Sequence, residues 1–313
     1  AFTKSYFGRT DAQNVQHGFA GLRIEGNYDL NNQQEQLACI VRENNKKEFL
    51  NNNNPIKKLS EHIGNYPCVM IAPDDIELIT GSSEERRKFI DTILSQINSG
   101  YLQALIEYNK IVQQRNSLLK NAAEFGNIDH TLLNIYNHQL IEKGEFIFVT
   151  RTNFCTTFLP LTLDYYQKIA KTNDSLELSY SSQLQTQSFN LLLENSLQKD
   201  IALQRTTSGT HKDDVLILMN NIGFKNQASQ GQRKSLLFAL KLAEWQTLKQ
   251  NKGFAPILLL DDVFEKLDGN RMFNLLNWVC KEDDGQVFIS DTHKERLTLA
   301  LNDANIDFQL IEL

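Results

Sequence analysis

At 313 residues, with 41% apolar and 22% charged side chains, the chain is long enough for two domains with substantial cores, and its composition is neither disordered nor fibrous. A net charge of −6 gives no general attraction to nucleic acid, so a DNA-binding role requires a local basic face. The uncharged apolar runs are far shorter than the roughly 20 residues a bilayer-spanning helix needs, which predicts a cytoplasmic protein. The opening "AFTKSYFGRTD" has neither a secretory apolar core nor an initiator Met, so a processed chain or an internal piece of a longer protein is expected. Cys39, Cys68, Cys155 and Cys280 form no C-x-x-C pair, and reduced, mostly core thiols are expected.

Residues 19 to 72 read as β-rich. "FAGLRIEG" and "QLACIVRE" resemble strands, "NNNNP" marks a hairpin tip, and "YPCVMIA" is a buried strand. Helical spacing begins at "TGSSEERRKFIDTILSQIN", where Ser82 or Ser83 can cap and Phe89, Ile90, Ile93, Leu94 and Ile97 recur on one face. The helical region runs on to "DYYQKIA", with a break expected at Gly126 and a kink or break at Pro160. "LELSY" returns to strand, residues 187–204 form a polar helix, and "DDVLILMNN" is a strand ending in a turn. The last third alternates: a long helix closed by Gly253, strand "PILLL", helix "NRMFNLLNWVC", strand "GQVFIS", helix "HKERLTLALN" and a final strand "IDFQLIEL". That alternation predicts a mostly parallel sheet.

Two stretches carry chemistry. "ILLLDDVFEKLD" is an uncharged run closed by Asp261 and Asp262, the pattern of a buried parallel strand whose carboxyl end is where open α/β sheets hold ligands. Acids there suit Mg²⁺ coordination and the aiming of a water at a nucleotide phosphate; capping of the next helix is the plainer alternative. "SQGQRK", residues 229–234, precedes a strongly helical run, so free amides, a hydroxyl and two bases meet where a phosphate could sit; an ordinary capped helix start is the plainer alternative here. His211, Asp213 and Asp214 in "GTHKDD" are ligand types, although structural hydrogen bonding is the simpler role. Arg86, Arg87, Lys110 and Arg115 could contact DNA phosphates or lie on solvated helix faces.

Together these stretches resemble the signature and Walker B segments of ABC-type ATPases, in the form carried by the RecF family of bacterial DNA-repair proteins. "APDDIELITGSSEERRKFID", "YNKIVQQRNSLLK" and "SGTHKDDVLILMNN" resemble further RecF segments in the same order. The resemblance implies an α/β ABC-ATPase-like head, with an ATPase lobe over residues 1–80 and 201–313 and a largely helical insertion lobe over 81–200. It implies that Asp261 is associated with Mg²⁺, that Asp262 is the catalytic carboxylate and that Asp268 is an acid at a dimer interface. Ser229, Gln230, Gly231 and Gln232 would contact ATP held by a partner subunit, and His293 would be a γ-phosphate sensor. ATP and Mg²⁺ as cofactors, an ATP-dependent homodimer, and DNA at single-strand to double-strand junctions also follow from the resemblance, as does cooperation with RecR and RecO in loading RecA. No Gly-Lys dipeptide occurs; the strand, phosphate loop and helix that precede this region in the family are expected to be absent, so these 313 residues alone are expected to bind ATP weakly or not at all. The competing reading is a metal-dependent phosphoesterase or nuclease using Asp261, Asp262, His211, Asp213 and Asp214.

Overall fold

Asparagine-built turns organise the first of the chain's two units, Ala1–Pro67. Strands β1 (Leu22–Leu30), β2 (Gln33–Val41), β3 (Lys47–Asn51) and β4 (Asn54–Pro55) form an antiparallel meander in that order, followed by the single turn α1 (Leu59–His62). Asn52 and Asn53 join β3 to β4 with φ of 48° and 64°. Two left-handed residues in succession are what a two-residue hairpin turn of matching twist demands, and Asn tolerates them. This is the tip expected at "NNNNP". The computed structural model describes residues 3, 5–8, 10–30, 33–170, 175–262, 269–281 and 285–312.

The second unit, Cys68–Leu313, carries the remaining elements. It opens with β5 (Cys68–Ile71), α2 (Glu77–Thr80), α3 (Ser83–Ile97), α4 (Ser99–Phe125) and α5 (His130–Ala170). Ser82 caps α3, accepting from the Glu84 amide, and Gly126 ends α4 in the left-handed conformation expected of it. Then come β6 (Leu176–Ser181), α6 (Phe189–Leu203), β7 (Asp214–Met219), β8 (Ile222–Gly223), α7 (Phe224–Gln227) and α8 (Gln230–Lys252). The chain closes with β9 (Ile257–Asp261), α9 (Gly269–Lys281), β10 (Val287–Ser290) and α10 (Lys294–Asp303).

One expectation is narrowed and one is corrected. Of the kink or break expected at Pro160, the break does not occur, because α5 runs on for ten residues beyond it to Ala170. Proline deprives the Thr156 carbonyl of its usual donor. Hydroxyls in and after that turn back-bond to the helix, Thr156 to Asn153 O at 2.6 Å, Thr157 to Phe154 O at 3.1 Å and Thr162 to Phe158 O at 3.0 Å, while Phe154, Phe158 and Leu159 stay buried on the packed face. The expected final strand is also not formed: residues 306–312 have no strand assignment and are mostly exposed. Its alternation has no described strand to pair with, and alternation alone does not make a sheet.

Among the described residues two sheets hold this unit. One is antiparallel, β6-β7-β8, and the other is parallel, β10-β9-β5. Leu258 and Leu260 of β9 are buried, and α8 from Ser235 to Trp245 is buried residue after residue, the signature of a helix enclosed on all sides. Trp245 Nε1 donates to Pro256 O at 2.9 Å, fixing the return from α8 into β9.

Candidate functional site

Because β10, β9 and β5 are parallel, their carboxyl ends share one edge: Ala72 follows β5, Asp262 follows β9 and Asp291 follows β10. Register sets Asp261 beside Ser290, whose hydroxyl donates to the Asp261 carboxylate. The Asp262 amide donates to Ser290 O at 3.1 Å. Asp262 then turns left-handed at φ 47°, a strain of order 1 kcal/mol for a residue with a side chain. Its Oδ1 is buried without a hydrogen-bond partner among the described residues. An open carboxylate oxygen in that setting is costly unless a cation or a donor meets it, so the pair fits a hydrated Mg²⁺ or the water beside one. Among the described residues no cluster of three or more His, Cys, Asp or Glu side chains could hold a metal by itself.

The short 253–256 connection makes β9 run back along α8, so the end of β9 meets the start of α8. A cleft of about 360 Å³ results, lined by Asp262, Gln230, Arg233 and Lys234, with Ile71, Ala72 and Pro73 of the β5 end as its apolar wall. At the start of α8, Ser229 Oγ accepts from the Gln232 amide at 3.2 Å and the Gln232 side chain accepts from the Ser229 amide at 2.8 Å. This reciprocal cap consumes two of the helix's free amides and side chains of the "SQGQ" group. Gln230 is left on the cleft wall, next to Gly231. Arg233 donates to Lys225 O at 2.8 Å.

The other expected site residues fall in different places. His293 is exposed at the amino end of α10; its amide donates to Asp291 at 2.7 Å and its side chain makes no capping bond. Asp268 lies outside the described residues. Arg86 is forked onto Asp214, at 2.7 and 3.0 Å, and Arg87 donates to Asp213 O at 2.6 Å. Lys110 is exposed. Arg115 is 0% exposed and bonded to Asp200 at 2.7 Å, Asn137 at 2.9 Å and Thr206 at 2.9 Å. It is a core residue, and the expectation that it touches DNA is corrected.

A second buried cation, Arg151, was not foreseen. It reaches Asp91, the Tyr101 hydroxyl, Thr210 O and Asp213, so α3, α4 and α5 are joined to the segment before β7. Tyr180 also donates to Asp213, and burial pushes that carboxyl up against the pull of Arg151. His211 Nδ1 lies 2.8 Å from the Tyr108 hydroxyl and Nε2 lies 3.1 Å from Thr206 O. Burial drives its imidazole down to about 4, so it is neutral, with Nε2–H donating to the carbonyl and Nδ1 accepting from the phenol. One sequence signal pointed to these cations: Arg151 and Arg115 each sit in the apolar stripe of their helix.

No protein-family model matches the chain. The DNA replication and repair protein RecF of Flavobacterium johnsoniae is 41% identical over 313 residues, which span 100% of this chain and 87% of that relative. That of Cytophaga hutchinsonii is 37% identical over 308 residues, 98% of this chain and 81% of the relative. The chain belongs to the RecF family. A solved structure of the recombination mediator protein RecF-ATPrS in the RecFOR pathway superposes with a TM-score of 0.84 at 28% identity, covering 94% of this chain and 81% of that one; its RecF-ATP counterpart gives 0.83. The expected α/β, ABC-ATPase-like head is therefore the fold of this chain. The nuclease alternative is not supported: Asp213, Asp214 and His211 are committed to Arg151, Arg86 and Tyr108 rather than grouped with Asp261 and Asp262.

Proposed function

We propose that the chain is part of an ATP-dependent DNA-binding protein of recombinational repair and replication. Residues 81–200 would be the helical lobe of its head, with 1–80 and 201–313 forming the ATPase lobe. The observation that carries this reading is Asp262: a strained, half-buried carboxylate with an open oxygen, facing a cleft shared with the start of α8. In this reading Asp261, steadied by Ser290, would hold Mg²⁺, which when bound would neutralise phosphate charge. Asp262 takes up the proton of the attacking water. Gln230 and Gly231 present the start of α8 to a nucleotide phosphate, and Asp268 and His293 complete the site in an ATP-dependent homodimer. Support comes from its relatives, the DNA replication and repair proteins RecF, and from the RecF-ATP structure of the RecFOR pathway. Action at single-strand to double-strand junctions with RecR and RecO, in aid of RecA, belongs to the same proposal.

Asp262→Asn tests it, because this change removes the charge and keeps the volume. On the native protein, DNA-stimulated ATP turnover is expected to fall about 10²–10⁴-fold, the range for loss of a general base, with DNA binding in ATP retained. An unchanged turnover number would overturn the assignment.

A further inference from the structure

The segment from Gln204 to Asp213 is fastened on one side only. Asp200 accepts from the Thr207 amide at 2.8 Å and its hydroxyl at 2.6 Å, and Asn116 accepts from the Thr206 amide at 2.7 Å and its hydroxyl at 2.8 Å. Gln183 accepts from the Gly209 amide at 3.1 Å, and Arg151 donates to Thr210 O at 2.8 Å. Gly209 has φ 124°, and a Cβ there would meet Phe189 and the Tyr108 hydroxyl at 2.6 Å, so the backbone lies directly on the helices beneath. The inner side is therefore rigid.

The outer side is basic. Arg205 and Lys212 project from this segment and Lys199 from the last turns of α6; all three are exposed, and among the described residues none forms an ion pair. They also sense one another. Partial burial holds the Lys212 ammonium below its ordinary value, and the nearby charges of Arg205, Arg87 and Lys199 hold it lower still. The acids near Lys212 are already engaged, Asp200 with Arg115, Asp213 with Arg151 and Asp214 with Arg86. Crowded, unpartnered cations on a pinned backbone cost the free protein energy and favour an anionic ligand without further ordering.

We propose that Lys199, Arg205 and Lys212 form a preorganised contact surface for the phosphate backbone of a nucleic acid. Exposed cations distributed over a helix end and a loop match a repeating polyanion, whereas one enclosed phosphate would need them to converge. This rests on the DNA-binding reading above and adds where the chain meets DNA, on residues different from Arg86 and Arg115.

The test is a fluorescence-anisotropy titration of a labelled gapped duplex with the native protein, Mg²⁺ and ATP present, across a series of KCl concentrations. The triple variant Lys199→Gln, Arg205→Gln, Lys212→Gln is expected to lower the slope of log affinity against log salt by about 2–3, at roughly 0.9 per lost phosphate contact, with binding at least about tenfold weaker at low salt. Each single change should give about a third of that slope loss, which keeps the test usable if the triple variant folds poorly. Lys168→Gln, at an exposed i,i+4 pair with Asp164, should leave the slope unchanged. If the wild type binds and the triple variant keeps its slope, the surface proposal fails while the DNA-binding reading stands. If the wild type binds no nucleic acid at any salt, both fail.

Discussion

Arg115 shows how position overrides side-chain type. As a base on a helix it could meet phosphate, yet it falls on the stripe Tyr108, Ile111, Arg115, Leu119, Ala122, all buried. A guanidinium there must be paired, and Asp200, Asn137 and Thr206 supply the acceptors. Removing one partner of such a pair leaves the other charged and dry. Arg115→Met is therefore expected to destabilise the fold by about 3–5 kcal/mol in urea unfolding, while leaving the salt slope of DNA binding unchanged in whatever fraction remains folded. A lowered slope with intact stability would return Arg115 to the DNA interface. Asp262 is the opposite case: Arg115 faces Asp200, Asn137 and Thr206 across packed helices, whereas the open oxygen of Asp262 lies at a cleft, which is why one reads as structure and the other as chemistry.

At the scale of elements, close approach between helices is decided by Gly144 of α5. A Cβ there would lie 2.3 Å from a Phe189 ring carbon and 3.1 Å from Tyr108, so α4, α5 and α6 meet through its missing side chain. Helix propensity alone favours alanine by about 1 kcal/mol, but overpacking costs about 1–3 kcal/mol and acts on a rigid aromatic ring, so Gly144→Ala is expected to lower the melting temperature. A raised one would show that Phe189 yields. The sequence spoke clearly about elements whose signal is local: the uncharged run of β9, the periodic α3, the glycine stops of α4 and α8, and the "NNNNP" tip. It misled at residues 306–312, where alternation exists without a sheet, and at Pro160 it left kink and break undivided, of which the break does not occur. In the site, the adjacent acids and the "SQGQ" helix start were each legible, but their sharing of one cleft was not. That juxtaposition depends on how β9 returns along α8 and on the β5 end, some 190 residues away in sequence, joining them.

For the molecule as a whole, buried Glu244 and half-buried His211 contribute opposing slopes to its pH dependence. Glu244 on α8 is 3% exposed, with Lys241 Nζ at 3.6 Å and Asp75 and Cys68 as its other titratable neighbours. Burial pushes its carboxyl up to about 7, with Lys241 pulling the other way. Below about 4.5 it is protonated folded or unfolded; as pH rises towards 7 the unfolded chain gives up the proton first, so stability is lost, by about 3 kcal/mol in total. His211, driven down to about 4, behaves in reverse: its contribution is complete above 6.5 and is lost as acid protonates the unfolded imidazole first, again by about 3 kcal/mol. Between about 4.5 and 6.5 the two slopes oppose each other, and their joint contribution is nearly flat. Single variants should uncover each slope. Subtracting the wild-type urea stability from that of Glu244→Gln, pH by pH, should leave a difference that grows more favourable to the variant from pH 4.5 to 7; with His211→Gln, which keeps a donor for Thr206 O, the difference should grow more favourable to the variant from pH 6.5 down to 4. Flat difference curves would mean that both groups titrate alike in the folded and unfolded chain, and that neither burial is felt at the proton.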